Sequence, residues 1–227
     1  MWRNEFPRLY ELYGMSERAH PDNYFTAFEQ CYANNRDGTR LSYGPLEKAL
    51  ERMDNEAWKR LADRSLPLIT KKDPRRKWDQ LFNSLYEAFG YKFLADRGYT
   101  SIQFIDRGDD RTPDLLGKSE TSTAILEVKT ISNSDKEIDR LAARPLKMFN
   151  LAQELSDELK KKLRTDIENA RGQLEAFDMP VDRRIVLLVV HMDCDHWGND
   201  KIEKLNQFAQ LQQTADLEVV VRPLVVF

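Results

Sequence analysis

The run from Val181 to Met192, which contains RRIVLLVVHM, constrains the fold more than any other part of the chain. Six successive apolar residues, Ile185 to Val190, leave no polar face for solvent, so a strand here must be covered on both sides. Such a strand belongs inside a sheet with helices on each face, and the flanking sequence supplies candidates. Before it, Leu151, Leu155, Leu159, Leu163, Ile167, Ala170, Leu174 and Phe177 recur at three- and four-residue steps, the spacing of one apolar helix stripe. After it, residues 193–200 read as a loop, 201–213 as a helix and 217–227 as a last strand, which Pro223 confines to a sheet edge. The fold class expected is α/β.

A chain of 227 residues makes one large domain, or a core domain with an appendage. With 41% hydrophobic and 32% charged residues it falls among soluble globular proteins. No apolar run is long enough to cross a bilayer, and MWRNEFPRLY lacks the basic-then-apolar layout of a secretory signal. Cys31 and Cys194 stand in unrelated contexts and suggest no disulfide framework. A cytoplasmic, reducing location and no membrane partner are therefore expected.

Residues 1–74 carry no strand signal and form the expected N-terminal helical appendage, with helices over 6–13, 23–33 and 44–62; residues 75–227 form the core domain. The appendage is rich in aromatics, among them Trp2, Phe6, Tyr24, Phe25, Phe28 and Trp58. They suit apolar packing against the core, or stacking platforms for bases. Pro74 is expected to open a helix over 75–97 that stops at Gly98. One face of that helix carries Trp78, Leu81, Phe82, Leu85 and Phe89; Glu87 lies about half a turn round, and mid-helix Gly90 marks a point of close approach.

Between these helices, TPDLLGKSETSTAILEVKTIS (Thr112 to Ser132) reads as a hairpin. Tyr99 to Arg107 precedes it as a first strand, Asp114 to Gly117 forms a second, and Thr123 to Ile131 a third, short and β-branched. Side chains alternate along a strand, so Glu127 and Lys129 emerge on one face roughly 7 Å apart. An acid and a base in an apolar strand are costly to bury without compensation. Asp114, at the mouth of the hairpin, would bring a second carboxylate close to Glu127 across the ladder. Hard oxygen donors so placed suit a divalent cation.

Pro113-Asp114, followed thirteen residues on from the aspartate by Glu127-Val128-Lys129, resembles the signature of the PD-(D/E)XK nuclease superfamily, which includes restriction endonucleases, Holliday-junction resolvases and repair exonucleases. The resemblance implies a three-layer α/β/α fold around a central mixed sheet, with the core order helix, strand, strand, strand, helix, strand. It implies a Mg²⁺-dependent nuclease, Mn²⁺ substituting, in which Asp114, Glu127 and the carbonyl of Val128 hold the metal. Lys129 would orient the attacking water and offset phosphate charge. Glu87, eleven residues before Gly98-Tyr99, resembles the helix glutamate of resolvase-like members and would add a metal-site carboxylate. Gln173, in NARGQLEAF, resembles the glutamine that faces the active site from the second core helix; Gly172 beside it suggests close packing. The expected partner is nucleic acid, DNA before RNA, and a homodimer is a candidate assembly.

Two rival readings stand beside this one. A net charge of −3 argues mildly against a protein that simply coats nucleic acid, although Lys71 to Lys77 and Lys160 to Arg164 form two basic runs. A catalytically inactive nucleic-acid-binding or assembly protein keeping the fold is the alternative function. The loop HMDCDHWGND, with His191, Asp193, Cys194, Asp195 and His196, offers a separate set of metal ligands, but at no recognised zinc spacing.

Overall fold

Every strand expected from the sequence lies in one five-stranded mixed sheet: β1 Ser101–Phe104, β2 Leu115–Lys118, β3 Thr123–Ile131, β4 Arg183–Asp193 and β5 Leu217–Val226, adjacent in that order. The structure, a computed structural model, describes residues 2–106, 112–132, 155–193 and 199–226. β1, β2 and β3 form an antiparallel meander, whereas β3 pairs β4, and β4 pairs β5, in parallel. Parallel neighbours need a crossover, and α7 (Asp157–Ala176) lies in the connection between β3 and β4. α8 (Asn199–Gln210) serves β4 and β5 in the same way. β5 is an edge strand, as Pro223 requires.

Ile185 to Val190 of β4 are all buried, alternate residues packing on opposite faces. Val186, Leu188 and Val190 meet Leu163, Ile167, Ala170 and Leu174 of α7; Ile185, Leu187 and Val189 join a cluster with the N-terminal half. Burial of each such side chain stabilises the fold by about 1.5–3 kcal/mol. On the second face, α6 (Glu87–Asp96) lies directly against the sheet. A Cβ at Gly90 would stand 2.6 Å from Leu115 Cδ1, 2.8 Å from Leu126 Cδ2 and 2.9 Å from Val128 Cγ2, so only glycine allows this approach. Gly172, by contrast, faces open space and marks no close packing.

The N-terminal helices are α1 (Pro7–Met15), α2 (Tyr24–Asn34), α3 (Arg36–Glu51) and α4 (Asn55–Ser65). Their aromatics are interior: Trp2, Phe6, Tyr24, Phe25, Phe28 and Trp58 are buried in a cluster that continues into Leu126 and Leu187 of the sheet. Rings so enclosed offer no stacking surface to bases.

The helix boundaries differ from expectation at Asp54, Tyr86 and Pro74. The helix expected over 44–62 is interrupted because Asp54 caps α4, its side chain accepting from Ala57 N–H; α3 in turn begins earlier, at Arg36, and runs through Pro45. The helix expected over 75–97 is two, α5 (Asp79–Leu85) and α6, separated at Tyr86. Pro74 opens no helix: the Asp73 carboxylate accepts the backbone N–H of Arg75 and Arg76 at 2.8 and 2.6 Å. That local turn, closed by the Asp73–Lys77 bridge, competes with helix formation. The stop at Gly98 is as expected, with φ of 85°. Most of the loop expected over 193–200 lies outside the described residues.

Candidate active site

β2 and β3 part company at Asp114, and the site forms in that fork. The register that sets Leu115 against Leu126 puts Asp114 across from Glu127. At this point the Asp114 carboxylate, rather than a backbone carbonyl, accepts the N–H of Val128, with Oδ2 at 2.8 Å. In a strand the N–H and C=O of one residue project toward the same neighbour. The Val128 carbonyl is therefore aimed past the start of β2, on the Asp114 side.

Alternation along β3 turns Ile125, Glu127, Lys129 and Ile131 toward α7, opposite to Leu126 and Val128, which pack with α6. Glu127 is buried, 4% exposed. Its Oε1 receives the Lys129 Nζ at 2.6 Å, while Oε2 is buried with no hydrogen-bond partner. Burial, and next the negative charge of Asp114, push the Glu127 carboxyl up to about 7, against the pull of Lys129. Gln173 of α7 accepts from the same ammonium at 2.7 Å and donates Nε2 to the Thr112 carbonyl at 3.4 Å. Asp114, Glu127, Lys129 and Gln173, drawn from three elements, thus form one connected group.

Two acids close together, one with an orphaned oxygen in a desolvated position, lack positive charge that one lysine does not fully supply. The donors present (two carboxylates and one free-standing carbonyl direction) are the hard oxygen set that suits Mg²⁺ or Mn²⁺. The residues fit such an ion.

Glu87, on α6, is bonded to Arg64. It is 1% exposed, and its Oε2 takes a hydrogen bond from Arg64 Nη1 at 3.1 Å. Arg64 also donates Nη2 to the Ile105 carbonyl at 2.8 Å, and Ile105 N–H bonds to the Asp114 carbonyl. Glu87 is thus linked to the Asp114 backbone through an arginine that compensates its charge. Among the described residues, no three His, Cys, Asp or Glu side chains gather as a metal group. Cys194, Asp195 and His196 lie outside the described residues.

Sequence reasoning missed the polar shoulder that α7 presents beyond Gln173. Lys162 donates Nζ to the Ser132 carbonyl at 3.2 Å, at the end of β3. Asp166 is held above the usual carboxylate range by burial, with Lys162 and Lys129 opposing. Residues 162, 166 and 173 are four and seven apart, so a helical wheel places them on one side of the helix. That spacing was the available signal. Arg64 gave none, since its partner Glu87 is 23 residues away in sequence.

No protein-family model matches the chain, and no curated protein matches it. Among the described residues no helix is long and apolar enough to cross a membrane.

Proposed function

We propose that this protein is a metal-dependent nuclease that hydrolyses phosphodiester bonds, with DNA as its expected substrate and a restriction-endonuclease-like three-layer α/β/α core. The observation that carries the reading is the buried Glu127 oxygen left without a partner beside Asp114, with Lys129 2.6 Å from the other oxygen of the same carboxylate.

Asp114, Glu127 and the Val128 carbonyl would hold Mg²⁺ or Mn²⁺. When bound, that ion supplies positive charge to the phosphoryl oxygens and lowers the proton affinity of a water. Lys129 brings a fixed ammonium to the phosphate and to the attacking water. Gln173 keeps that ammonium on the α7 side of β3, and its bond to Thr112 ties helix to hairpin mouth. Asp114 also locks the local backbone, because its bond to Val128 N–H sets where the Val128 carbonyl points. Without metal, burial and Asp114 hold the Glu127 carboxyl up at about 7; a bound dication beside Lys129 would favour both acids ionised, as ligands rather than proton donors.

The test is a cleavage panel of plasmid, linear and branched DNA, and RNA, incubated with Mg²⁺, Mn²⁺ or EDTA. Wild type should cleave at least one substrate only with metal, and Asp114→Ala and Lys129→Ala should not. Binding to nucleic acid with no cleavage under any of these conditions would favour the inactive binding or assembly protein instead.

A further inference from the structure

On the other face of the sheet, α3, α6 and β5 enclose a cleft of about 400 Å³ lined by Arg40, Leu41, Pro45, Lys48, Lys92 and Arg222, together with Gly44. Four cations from three elements converge there, and no carboxylate is among the lining residues. Arg40 is held by Glu5, with Nε to Oε2 at 2.6 Å, and Lys92 pairs with Asp96 one helical turn along. Lys48 and Arg222 make no ion pair with any described residue.

Arg222 is the unexpected member. It sits in an otherwise apolar strand, LEVVVRPLVV, with its guanidinium stacked 4.3 Å over the Phe89 ring. Its Nε is buried and has no acceptor. Burial also pulls its proton affinity below the usual arginine value, Asp96 opposing. Arg222 lines the cleft with a charge that no described carboxylate pairs, and an anion there would offset the cost of burying it. Guanidinium groups bind phosphate oxygens in a two-pronged geometry that ammonium cannot match. Arg40 and Lys92 are partly met by Glu5 and Asp96, which leaves Lys48 and Arg222, on different elements, as the charges that linked phosphates would bridge better than one orthophosphate. Leu41, 62% exposed, and Pro45 form an apolar wall beside them that suits a further, uncharged part of the same molecule.

We propose that this cleft binds a small molecule carrying a diphosphate group, with Arg222 and Lys48 as its principal ligands. The site is separate from the Asp114–Glu127 fork and stands whether or not that fork cleaves nucleic acid.

Calorimetric titration in EDTA, at matched ionic strength, with orthophosphate, pyrophosphate, ADP and a short single-stranded oligonucleotide tests it. Pyrophosphate and ADP should bind more tightly than orthophosphate. Arg222→Gln should weaken both by at least about tenfold, the loss of one charge-assisted contact. Lys48→Gln, at an exposed position that does not threaten folding, should weaken them in the same direction, while Lys129→Gln binds as wild type. Absence of pyrophosphate and ADP binding at millimolar concentration overturns the assignment. So does binding that survives both cleft substitutions, that is lost with Lys129 instead, or that occurs with the oligonucleotide alone.

Discussion

The Asp114 carboxylate accepts the backbone N–H of Val128 at 2.8 Å, so one side chain both faces Glu127 and closes the fork between β2 and β3. The two roles separate by substitution. Asp114→Asn keeps an oxygen for Val128 N–H and removes a negative charge next to buried Glu127, so without metal it should melt at or above the wild-type temperature. Asp114→Ala loses the bond, at about 1 kcal/mol, and should melt roughly 2–4 °C lower. Both should lose metal-dependent cleavage. Thermal unfolding in EDTA, beside cleavage assays, checks the pair.

Lys129 and Gln173 should differ in degree. Lys129→Ala removes, among the described residues, the only cation bonded to Glu127 and should lower the cleavage rate by about 10²–10⁴-fold, the range for a positioned proton-handling group. Gln173 acts on Lys129 and on the Thr112 carbonyl, as a positioning residue. Gln173→Ala should cost about 10–100-fold, and Gln173→Glu, which keeps an acceptor for the ammonium, should restore part of it. Single-turnover rates would separate these effects from substrate binding.

Away from the site, Glu47 sets a pH dependence of stability. It is 2% exposed and accepts the backbone N–H of Arg8 at 2.6 Å and of Leu9 at 3.2 Å, capping α1 in place of Phe6, whose side chain caps nothing. Burial pushes its carboxyl from 4.5 up to about 7 despite those two donors. Between these values the folded protein retains a proton that the unfolded chain has released. The stabilisation is therefore full below about pH 4.5 and is lost as pH rises through about 7. Urea midpoints should fall from pH 5 to pH 8, and Glu47→Gln should flatten that slope without abolishing it, because metal-free Glu127 titrates in the same direction.

Gly90→Ala should destabilise the fold although alanine favours a helix by about 1 kcal/mol. The added methyl would meet Leu115, Leu126 and Val128 at under 3 Å, and overpacking of this kind costs about 1–3 kcal/mol. Chemical denaturation measures the sign directly. Because Val128 is one of the three residues displaced, cleavage should fall as well.

What the sequence disclosed was governed by local pattern. TAILEVKTI gave the bounds of β3, and Pro223 marked β5 as an edge. The opposition of Asp114 and Glu127 followed from a short hairpin in which register leaves little freedom. The breaks at Asp54 and at 73–78 were hidden because they depend on one aspartate side chain each competing with the helix. Arg64 on Glu87, Glu47 at the start of α1 and Arg222 beneath α3 and α6 join residues far apart in the chain. No periodicity carries such pairings, which only packing creates.

The central claim is that the Asp114–Glu127 fork holds a hard dication. Anomalous diffraction at the manganese edge, from crystals soaked in Mn²⁺, tests it most directly. The predicted result is one strong peak between the Asp114 and Glu127 carboxylates on the side of the Val128 carbonyl, absent in Glu127→Gln crystals. Contradiction would be an empty fork, or manganese bound only elsewhere, as at His191 to His196.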